Sequence, residues 1–546
     1  MQEFDICIIG SGAGAGPVAY ELSGAGHKVA VLEKGEFYKR EDFSKDEIAF
    51  TKRDILTPKL KDEYHTIVEG EQTYTTTEAN WSFWNGSLVG GASNLMSGFF
   101  HRFHPDDFHL ASKYKKIDGA NIVDWPITYD DLAPYYDKVE EIVGVSGELI
   151  TNKYQEPRAI KSFPYPATQE HPIVKLIDKA CIDLKITPVV TPRAVLSKDK
   201  DDRSKCYYSN YCGSYGCSSG AKGSSREALL NPALKTGKLT IITNAFVVSL
   251  NEKDKKVVSA SYVDKKTQKI QTIKAKVFVL AAQAIESSRL LLNSKSKNFP
   301  NGLANNNAQV GKNLLFSAGG VVSGMFDKSS FPIDKLLVEG YFVNRVVKDF
   351  YFLDKDTKGG ILEFLFEHAN PIRKANSSKW DKNGKLIWGE KLYKTLNKRF
   401  NESKKLNVEI FNDWLPNDRC SVSIDEKNKD KYGINVAKVD IYSHPENEKI
   451  GDRLALKAID ILKQMGAKDI NGSISPYPPV NLQAGGCRFG DDAKSSVLDK
   501  NCKPHEVENL FVTDGSFMPN GGSVPYTFTI YANSFRVADF IKNNLF

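Results

Sequence analysis

The 546-residue sequence contains no apolar run long enough to span a lipid bilayer and no internal repeat. We expect no signal peptide, because the first apolar strand is predicted to begin within about four residues of Met1. It also has no motif for binding nucleic acid. We therefore expect a globular protein without a transmembrane segment that works in the cytoplasm, unless a partner subunit carries it across a membrane.

Neither charge nor cysteine is distributed in a way that indicates a special class of protein. The net charge of +7 is spread along the chain, and lysine-rich stretches such as 253–256 and 391–405 are interleaved with or flanked by acidic residues. This pattern predicts solvated faces rather than a surface for nucleic acid. The eight cysteines lack the spacing of a secreted disulfide framework. Length and composition are those of a globular protein with a large core.

The first 35 residues predict a nucleotide-binding βαβ unit. An apolar run at 4–9 has the length of a buried strand, and Gly10-Ser11-Gly12-Ala13-Gly14-Ala15 follows it at once. A helix at 17–22 and a second strand at 28–32 complete the unit. The helix N-terminus favours the negative charge of phosphate groups.

Each residue of this turn has a physical role. Gly10 permits the sharp turn, Gly12 lets the backbone approach a pyrophosphate, and the small Ala15 lets the helix pack closely on the strand. Glu33, at the end of the second strand, is suited to accept hydrogen bonds from the adenosine ribose. FAD and NAD both fit this unit taken alone, so the rest of the chain has to distinguish them.

Four later segments complete the pattern. The small, glycine-rich stretch within 81–98 allows a backbone to lie flat against a planar ligand, and the strand and turn at 276–290 offer a second close approach. Between 316 and 465, aromatic-rich strands alternate with charged turns, which predicts a largely antiparallel domain. A last apolar strand delivers Asp514 to a turn, and an amphipathic helix follows at 527–542.

Taken in order, seven motifs resemble the glucose-methanol-choline (GMC) family of FAD-dependent oxidoreductases, and in particular its gluconate and glucose dehydrogenase flavoprotein subunits. The motifs are GSGAGAGPVAYELS, SLVGGASNLMSG, VLAAQAIESSRLLL, VGKNLL, WLPNDRCSVSID, GGCRFG and NLFVTDGSFMP, and they cover nearly the whole chain. The resemblance implies FAD as the cofactor. It also implies a mixed α/β fold, in which a Rossmann-like FAD-binding domain is interleaved with a substrate domain built on an antiparallel sheet.

The resemblance also suggests domain boundaries. We predict that residues 1–160, 201–315 and 471–546 form the FAD-binding domain and that residues 316–470 form the substrate domain. Residues 161–200 either belong to the substrate domain or form a connecting excursion.

Thirteen residues are implied as FAD-binding by the same motifs. They are Gly10, Gly12, Ala15 and Glu33 in the first unit; Gly90, Gly91, Ser93, Asn94 and Met96 around the flavin; Val247 at the adenine; Asp514 and Gly515 near the ribityl chain and pyrophosphate; and Thr527 at the start of the last helix. Asp514 has a second interpretation, since an aspartate in this position can simply cap the next turn.

The catalytic positions depart from the family pattern. Where the family has a histidine base before its GGC turn, this chain has Leu482, and Val524 occupies the position of the second His or Asn. Neither side chain can accept a proton. A shifted local alignment would bring in Asn481, Gln483 or Tyr526 instead, although none is a good base at neutral pH.

The absence of a base at both positions has two further interpretations. A histidine of the substrate domain, His368, could have taken over, although such a residue is more often a strand-end histidine with a satisfied hydrogen bond. Alternatively, the chain does not oxidise alcohols in the family's usual way.

Three cysteines, Cys206, Cys212 and Cys217, lie within a glycine- and tyrosine-rich loop. Thiolates at short loop spacings are suited to an iron–sulfur cluster, and the loop resembles a cysteine-rich loop of the related dehydrogenase subunits. A disulfide between two of the three, or plain buried thiols, are the alternatives.

The leading prediction is an FAD-dependent dehydrogenase that oxidises a CH–OH group of a small sugar, polyol or alcohol. The resemblance implies that flavin N5 accepts the hydride and that a small subunit or a cytochrome accepts the electrons. The alternatives are a flavin-binding chain that has lost alcohol oxidation, an oxidase that uses O2 and, more remotely, an NAD-dependent enzyme.

Overall fold

The structure of the protein is a computed structural model that describes residues 3–51, 55–81, 83, 85–317, 319–381, 383–474 and 482–546. Asn481, one of the candidate polar groups, lies outside these residues. Among the residues that are described, no helix has the length and apolar character needed to cross a membrane.

The described residues form strands β1 (Glu3–Ile9), β2 (Val29–Leu32), β3 (Thr66–Glu69), β4 (Gln72–Thr75), β5 (Pro188–Val189), β6 (Leu239–Ile242), β7 (Ala245–Lys253), β8 (Lys256–Asp264), β9 (Ile270–Leu280), β10 (Leu314–Leu315), β11 (Gly320–Asp327), β12 (Arg345–Val347), β13 (Phe352–Asp354), β14 (Thr357–Lys358), β15 (Gly360–Phe366), β16 (Ser403–Asn412), β17 (Ser421–Lys429), β18 (Asn435–Ile441), β19 (Lys468–Ile474), β20 (Ala484–Gly485) and β21 (Leu510–Val512). The α-helices are α1 (Gly16–Gly24), α2 (Glu47–Thr51), α3 (Thr76–Ala79), α4 (Leu110–Lys113), α5 (Tyr129–Val139), α6 (Val174–Asp183), α7 (Asn231–Lys235), α8 (Ala284–Asn293), α9 (Ile333–Leu336), α10 (Pro371–Ser377), α11 (Gly389–Asn397), α12 (Pro445–Gln464) and α13 (Thr527–Leu545).

A seven-stranded sheet contains the N-terminal strand near its centre, in the order β6-β2-β1-β9-β8-β7, with β21 also paired to β9. The pairs β1–β2, β2–β6, β1–β9 and β9–β21 are parallel, whereas β7 and β8 are added antiparallel. Helices α1, α5 and α13 pack together beside this sheet. Since the parallel strands end at one edge, the turns that follow them meet there, which is where doubly wound sheets bind ligands.

A second sheet has the order β19-β11-β16-β15-β12-β5, and all its neighbouring strands are antiparallel. Leu406, Val408 and Ile410 of β16 are buried in a core with residues of α6 and α12. Because side chains alternate along a strand, Glu409 and Phe411 lie on the opposite face.

A smaller sheet, in the order β17-β18-β3-β4, joins segments from both ends of the chain. Strands β18 and β3 are parallel, although more than half of the sequence separates them. The predicted mixed α/β fold, with a parallel nucleotide-binding sheet and an antiparallel sheet, is confirmed.

Candidate active site

A cavity of about 470 Å³ lies between the carboxyl edge of the parallel sheet and the free face of the antiparallel sheet. The turn after β1, the end of β2, the starts of α8 and α13, and the strand β16 all contribute to its lining. Elements from the beginning, middle and end of the chain therefore converge on one space.

The turn after β1 leaves room for a ligand where it approaches the cavity. Gly10 has a φ of +92°, and a Cβ there would lie 2.3 Å from the carbonyl oxygen of Ala281. A Cβ on Gly14 would lie 2.6 Å from the backbone nitrogen of Asp514. At Gly12 a Cβ would have no atom within 4 Å, and this residue lines the cavity. The glycines thus keep the turn compact and its inner side open, which fits a pyrophosphate.

Glu33 is buried at the edge of the cavity and is held in place by its neighbours. Its carboxylate accepts hydrogen bonds from the Ser11 hydroxyl and, at 2.8 Å, from the backbone N–H of Gly35. Burial raises its pKa, while these two hydrogen bonds oppose the shift. The two hydrogen bonds fix the orientation of the carboxylate at the edge of the cavity.

The glycine-rich turn at Gly90 and Gly91 supports the cavity partly from behind. Both residues have positive φ, +94° and +54°. The Asn94 amide donates to the carbonyl oxygens of Val89 and Gly91, each at 3.0 Å, and so closes the turn. Ser93 donates to the Gly90 carbonyl at 2.6 Å. Asn94 therefore acts on the backbone of this turn.

Asp514 caps the turn that follows it and also lies in the cavity wall. It accepts a hydrogen bond at 2.9 Å from the backbone N–H of Ser516, which caps the following turn, and it lines the cavity. It also accepts hydrogen bonds from the Ser287 hydroxyl and, at 3.1 Å, from the backbone N–H of Gln283. These bonds join the C-terminal strand to the start of α8.

Ten of the thirteen predicted FAD-binding residues line this one cavity: Gly10, Gly12, Glu33, Gly91, Ser93, Met96, Val247, Asp514, Gly515 and Thr527. Ala15 is buried in the core, and Gly90 and Asn94 lie in the supporting turn. The donors, the open glycine and the buried acid fit an FAD molecule. The contact of each residue with FAD remains a prediction.

The family's two catalytic positions bring no proton acceptor to the cavity. Leu482 lines it with a φ of +62°, and Val524 is buried. Gln483 donates to the Phe83 carbonyl at 3.0 Å, and its side-chain oxygen accepts from Gln283 at 2.8 Å. Tyr526 donates to the Phe316 carbonyl at 2.7 Å, and burial raises its pKa far above the ordinary value. Gln483 and Tyr526 are therefore already committed to other partners.

His368 does lie in the cavity wall, beside the cysteine-rich loop. A Cβ added to Gly213 would come within 2.9 Å of the His368 Nε2 atom, so the loop and the ring are in close contact. The prediction that His368 replaces the missing base therefore remains a prediction.

The side chain that the sequence analysis missed is Glu409, on the cavity face of β16. It is directly opposite Glu363 of β15 in the antiparallel ladder. Burial, followed by the negative charge of Glu363, raises the pKa of Glu409 from 4.5 to about 7. Within the sequence NVEIF, the alternation of apolar residues around a lone glutamate was the available signal, since it puts the acid on the face opposite the core.

Glu363, by contrast, is fully buried and hydrogen-bonded. The Thr191 hydroxyl donates to one of its oxygens at 2.5 Å, and His101 Nε2 lies 3.1 Å from the other. Burial lowers the pKa of His101, and Glu363 opposes that shift. Of the two glutamates, Glu363 is fixed by its partners, whereas Glu409 faces the cavity.

The interpretation of the cysteine-rich loop as an iron–sulfur site is not supported. Cys206, Cys212 and Cys217 are free thiols. Within the described ranges, no group of three or more His, Cys, Asp or Glu side chains is arranged so that it could hold a metal ion. Burial raises the pKa of Cys206 to about 12, so that its thiol stays protonated. Of the three cysteines, only Cys217 has a lowered pKa: burial raises that pKa, but the positive charge of Lys222 acts against this effect. Short spacing in sequence thus does not bring the three sulfurs together as ligands.

Comparison with known proteins identifies the family of this chain. Residues 64–317 and 416–534 match the two family models described as GMC oxidoreductase. The 2-methyl-1,2-propanediol dehydrogenase of Mycolicibacterium austroafricanum is 28% identical, covering 99% of this chain and 95% of its own length. The fructose dehydrogenase large subunit of Gluconobacter japonicus is 29% identical, with 99% and 98% covered.

The fold is also found among solved structures. Pyridoxine 4-oxidase from Mesorbium loti superposes with a TM-score of 0.64 over 99% of both chains, at 16% sequence identity. The two family matches together cover well over half of this sequence. The chain therefore belongs to the GMC oxidoreductase family, whose members are FAD-dependent flavoproteins.

Proposed function

We propose that this oxidoreductase oxidises a CH–OH group of a small polyol, sugar or alcohol, with Glu409 as the acceptor of the hydroxyl proton, and that it passes the electrons to a partner. The observation that carries the proposal is a carboxyl group with a pKa of about 7 in the wall of the cavity that holds the FAD-binding residues. The family's histidine position holds Leu482, so another group has to take the proton.

Glu409 has the properties that general-base catalysis requires. A base is most effective when its pKa is close to the working pH, because it is then ionised and still binds a proton well. Burial and the neighbouring Glu363 are the only causes of its shift, and no hydrogen bond from another described residue stabilises its charged form. A substrate hydroxyl could therefore donate to it directly.

The other residues of the cavity would hold FAD and shape the space beside Glu409. Gly12, Glu33 and Asp514 would hold the nucleotide and ribityl parts of FAD, and Leu482 and Phe411 would exclude water beside Glu409. When bound, FAD supplies the acceptor for the hydride that leaves the carbon. The C–H electron pair and the O–H proton thus leave to different acceptors, and a carbonyl group forms.

The substrate class and the electron acceptor are inferred from the relatives. The names of the two relatives state that one is a dehydrogenase of a diol and that the other is a dehydrogenase of fructose. The fructose dehydrogenase chain is named as a large subunit. We infer a small polar substrate, and a small subunit or a cytochrome as the acceptor.

Anaerobic reduction of the purified flavoprotein tests this proposal. We expect a polyol or sugar to bleach the flavin absorbance, with a rate that rises as pH increases through about 7 and then levels off. In Glu409→Gln the rate should fall by about 10²- to 10⁴-fold and lose this pH dependence. Glu367→Gln removes a carboxylate from the end of the same sheet outside the cavity and serves as the matched control.

The outcomes separate the competing functions. If no polyol, sugar or alcohol bleaches the flavin at any pH, the dehydrogenase function is wrong. If bleaching survives in Glu409→Gln with an unchanged pH profile, the function stands but the assignment of the base is wrong. Fast reoxidation of the reduced protein by air would show that O2, and not a partner protein, accepts the electrons.

A further inference from the structure

The excursion between β15 and β16, together with the first three residues of β16, carries an unusual concentration of positive charge. Residues 371–405 contain eleven Lys and Arg against three Asp and Glu, a net charge of +8, whereas the whole chain carries only +7. The rest of the protein is therefore close to neutral. Seen along the sequence, these lysines resemble an ordinary solvated stretch, but they account for the basic character of the protein.

The same excursion exposes large apolar side chains. Trp388 is 78% exposed, Tyr393 69%, Ile372 54%, and Trp380 and Leu386 49% each. Phe400, at 38%, is the sixth. Single exposed apolar residues are normal on protein surfaces, but six in one short basic segment are not.

The local geometry places several of them side by side. Trp380 and Leu386 face each other across an antiparallel bridge, so their side chains project from the same face. Leu386 and Trp388 are exposed while Ile387 between them is buried, which puts both on one side of the extended chain. Lys379 Nζ lies 5.5 Å from the centre of the Trp380 ring, so charge borders this apolar strip.

The segment is fastened to the rest of the protein next to the cavity. The backbone N–H groups of Ile372 and Arg373 donate to the Glu47 carboxylate at 2.8 and 2.7 Å. At the other end, Lys404 donates at 2.8 Å to the carbonyl oxygen of Val338, which lies outside the segment. Arg373 also contributes to the lining of the cavity. The exposed strip is thus held at a fixed position near the cavity rather than at the end of a loose tail.

We propose that residues 371–405 form a binding surface for a membrane that carries anionic lipid headgroups. Exposed tryptophan and tyrosine side chains are favoured at the level of the headgroups, and surrounding lysines are attracted to anionic lipids. A protein partner fits less well, because the centres of protein interfaces are depleted of lysine. The proposal concerns attachment to a membrane surface and does not depend on which substrate the enzyme oxidises.

Sedimentation of the purified flavoprotein with lipid vesicles tests this proposal. We expect the protein to pellet with vesicles of phosphatidylcholine and phosphatidylglycerol at least about tenfold more strongly than with phosphatidylcholine alone. Binding should weaken as salt is raised from low to physiological concentration, because salt screens exposed charges. Absence of binding to the anionic vesicles at low salt would overturn the proposal and leave a protein partner as the explanation.

Two pairs of variants locate the binding surface. Lys391→Glu with Lys394→Glu should weaken binding by about tenfold or more, whereas Lys253→Glu with Lys255→Glu, an equal charge change on the exposed β7–β8 turn, should have much less effect. Trp388→Ser with Tyr393→Ser should also weaken binding, whereas Ile270→Ser, which removes an exposed apolar side chain elsewhere, should not. Flavin absorbance and thermal melting confirm that each variant is folded. If the variant in the segment and its control elsewhere lose vesicle binding equally, in either pair, the segment has no special role and the proposal is overturned.

Discussion

The two walls of the cavity are built in different ways. On the nucleotide side, backbone turns form the wall, and glycines with positive φ such as Gly10 let the chain come close to a ligand. On the substrate side, side chains of β16 form the wall, and strand pairing brings Glu409 opposite Glu363. A wall made of backbone turns requires specific small residues, whereas a wall made of side chains can change its chemistry residue by residue. This chain keeps the first and has changed the second.

Gly10→Ala should disrupt the turn after β1 and have the largest effect of these substitutions on FAD binding and stability. A Cβ there would lie 2.3 Å from the Ala281 carbonyl oxygen, and the φ of +92° is unfavourable for alanine. We expect loss of bound FAD and a fall in the free energy of unfolding of about 2–3 kcal/mol or more. Flavin content after gel filtration and thermal melting measure both.

Gly12→Ala is the matched variant for that test. Because a Cβ at Gly12 would meet no protein atom within 4 Å, the free energy of unfolding of the protein without cofactor should hardly change. FAD affinity should still fall, because the methyl group projects into the cavity. Unchanged FAD affinity would show that the pyrophosphate does not lie against this turn.

Glu409→Gln should change how stability depends on pH. Folding raises the pKa of Glu409 from 4.5 to about 7, so the folded protein holds this proton more tightly than the unfolded chain. The free energy of unfolding of the native protein should therefore fall as pH rises from about 4.5 to 7. The free energy of unfolding of the Glu409→Gln variant does not fall in this way. The difference in free energy of unfolding between the variant and the native protein should therefore shift in favour of the variant as pH rises, by up to about 3 kcal/mol at pH 8. If the difference in melting temperature between the two proteins stays constant from pH 5 to 8, the raised pKa of Glu409 is contradicted.

Leu482→His sharpens the comparison on the substrate side. Leu482 lines the cavity with a φ of +62°, a conformation that histidine adopts more readily than leucine. In the Glu409→Gln background, we expect the histidine to restore the rate of anaerobic flavin reduction by about tenfold. No recovery, in a variant that still binds FAD, would mean that position 482 no longer faces the reacting hydroxyl.

The smallest effect is expected at the cysteine-rich loop. Cys206→Ser should leave flavin absorbance and the rate of flavin reduction unchanged, since the three thiols are not placed as metal ligands. Iron and sulfide assays on native protein purified anaerobically should give no stoichiometric iron. Stoichiometric iron that disappears with this substitution would overturn the assignment of these residues as free thiols.

Sequence reasoning found the parts of the protein whose chemistry is local. The strand at 4–9, the helix that starts near Pro17 and the final helix at 527–542 appear as β1, α1 and α13, and no end is shifted by more than three residues. Local prediction succeeds here because a buried parallel strand needs a continuous apolar run and a tight turn needs glycine. For the cysteine-rich loop it failed, because proximity in sequence does not fix the directions of the side chains.

By itself, the sequence determined the fold and the glycine-rich turn after the first strand, because each of these depends on residue types at short, regular spacings. Only the tertiary structure decided that Glu409 faces the cavity with a raised pKa, since the pairing of β15 with β16 and the burial of the pair cause that shift. It also decided that Trp380, Leu386 and Trp388 are exposed and that Trp380 and Leu386 face each other across an antiparallel bridge. Charge and exposure at a site depend on what packs around a side chain, and the residues that pack there are far away in the chain.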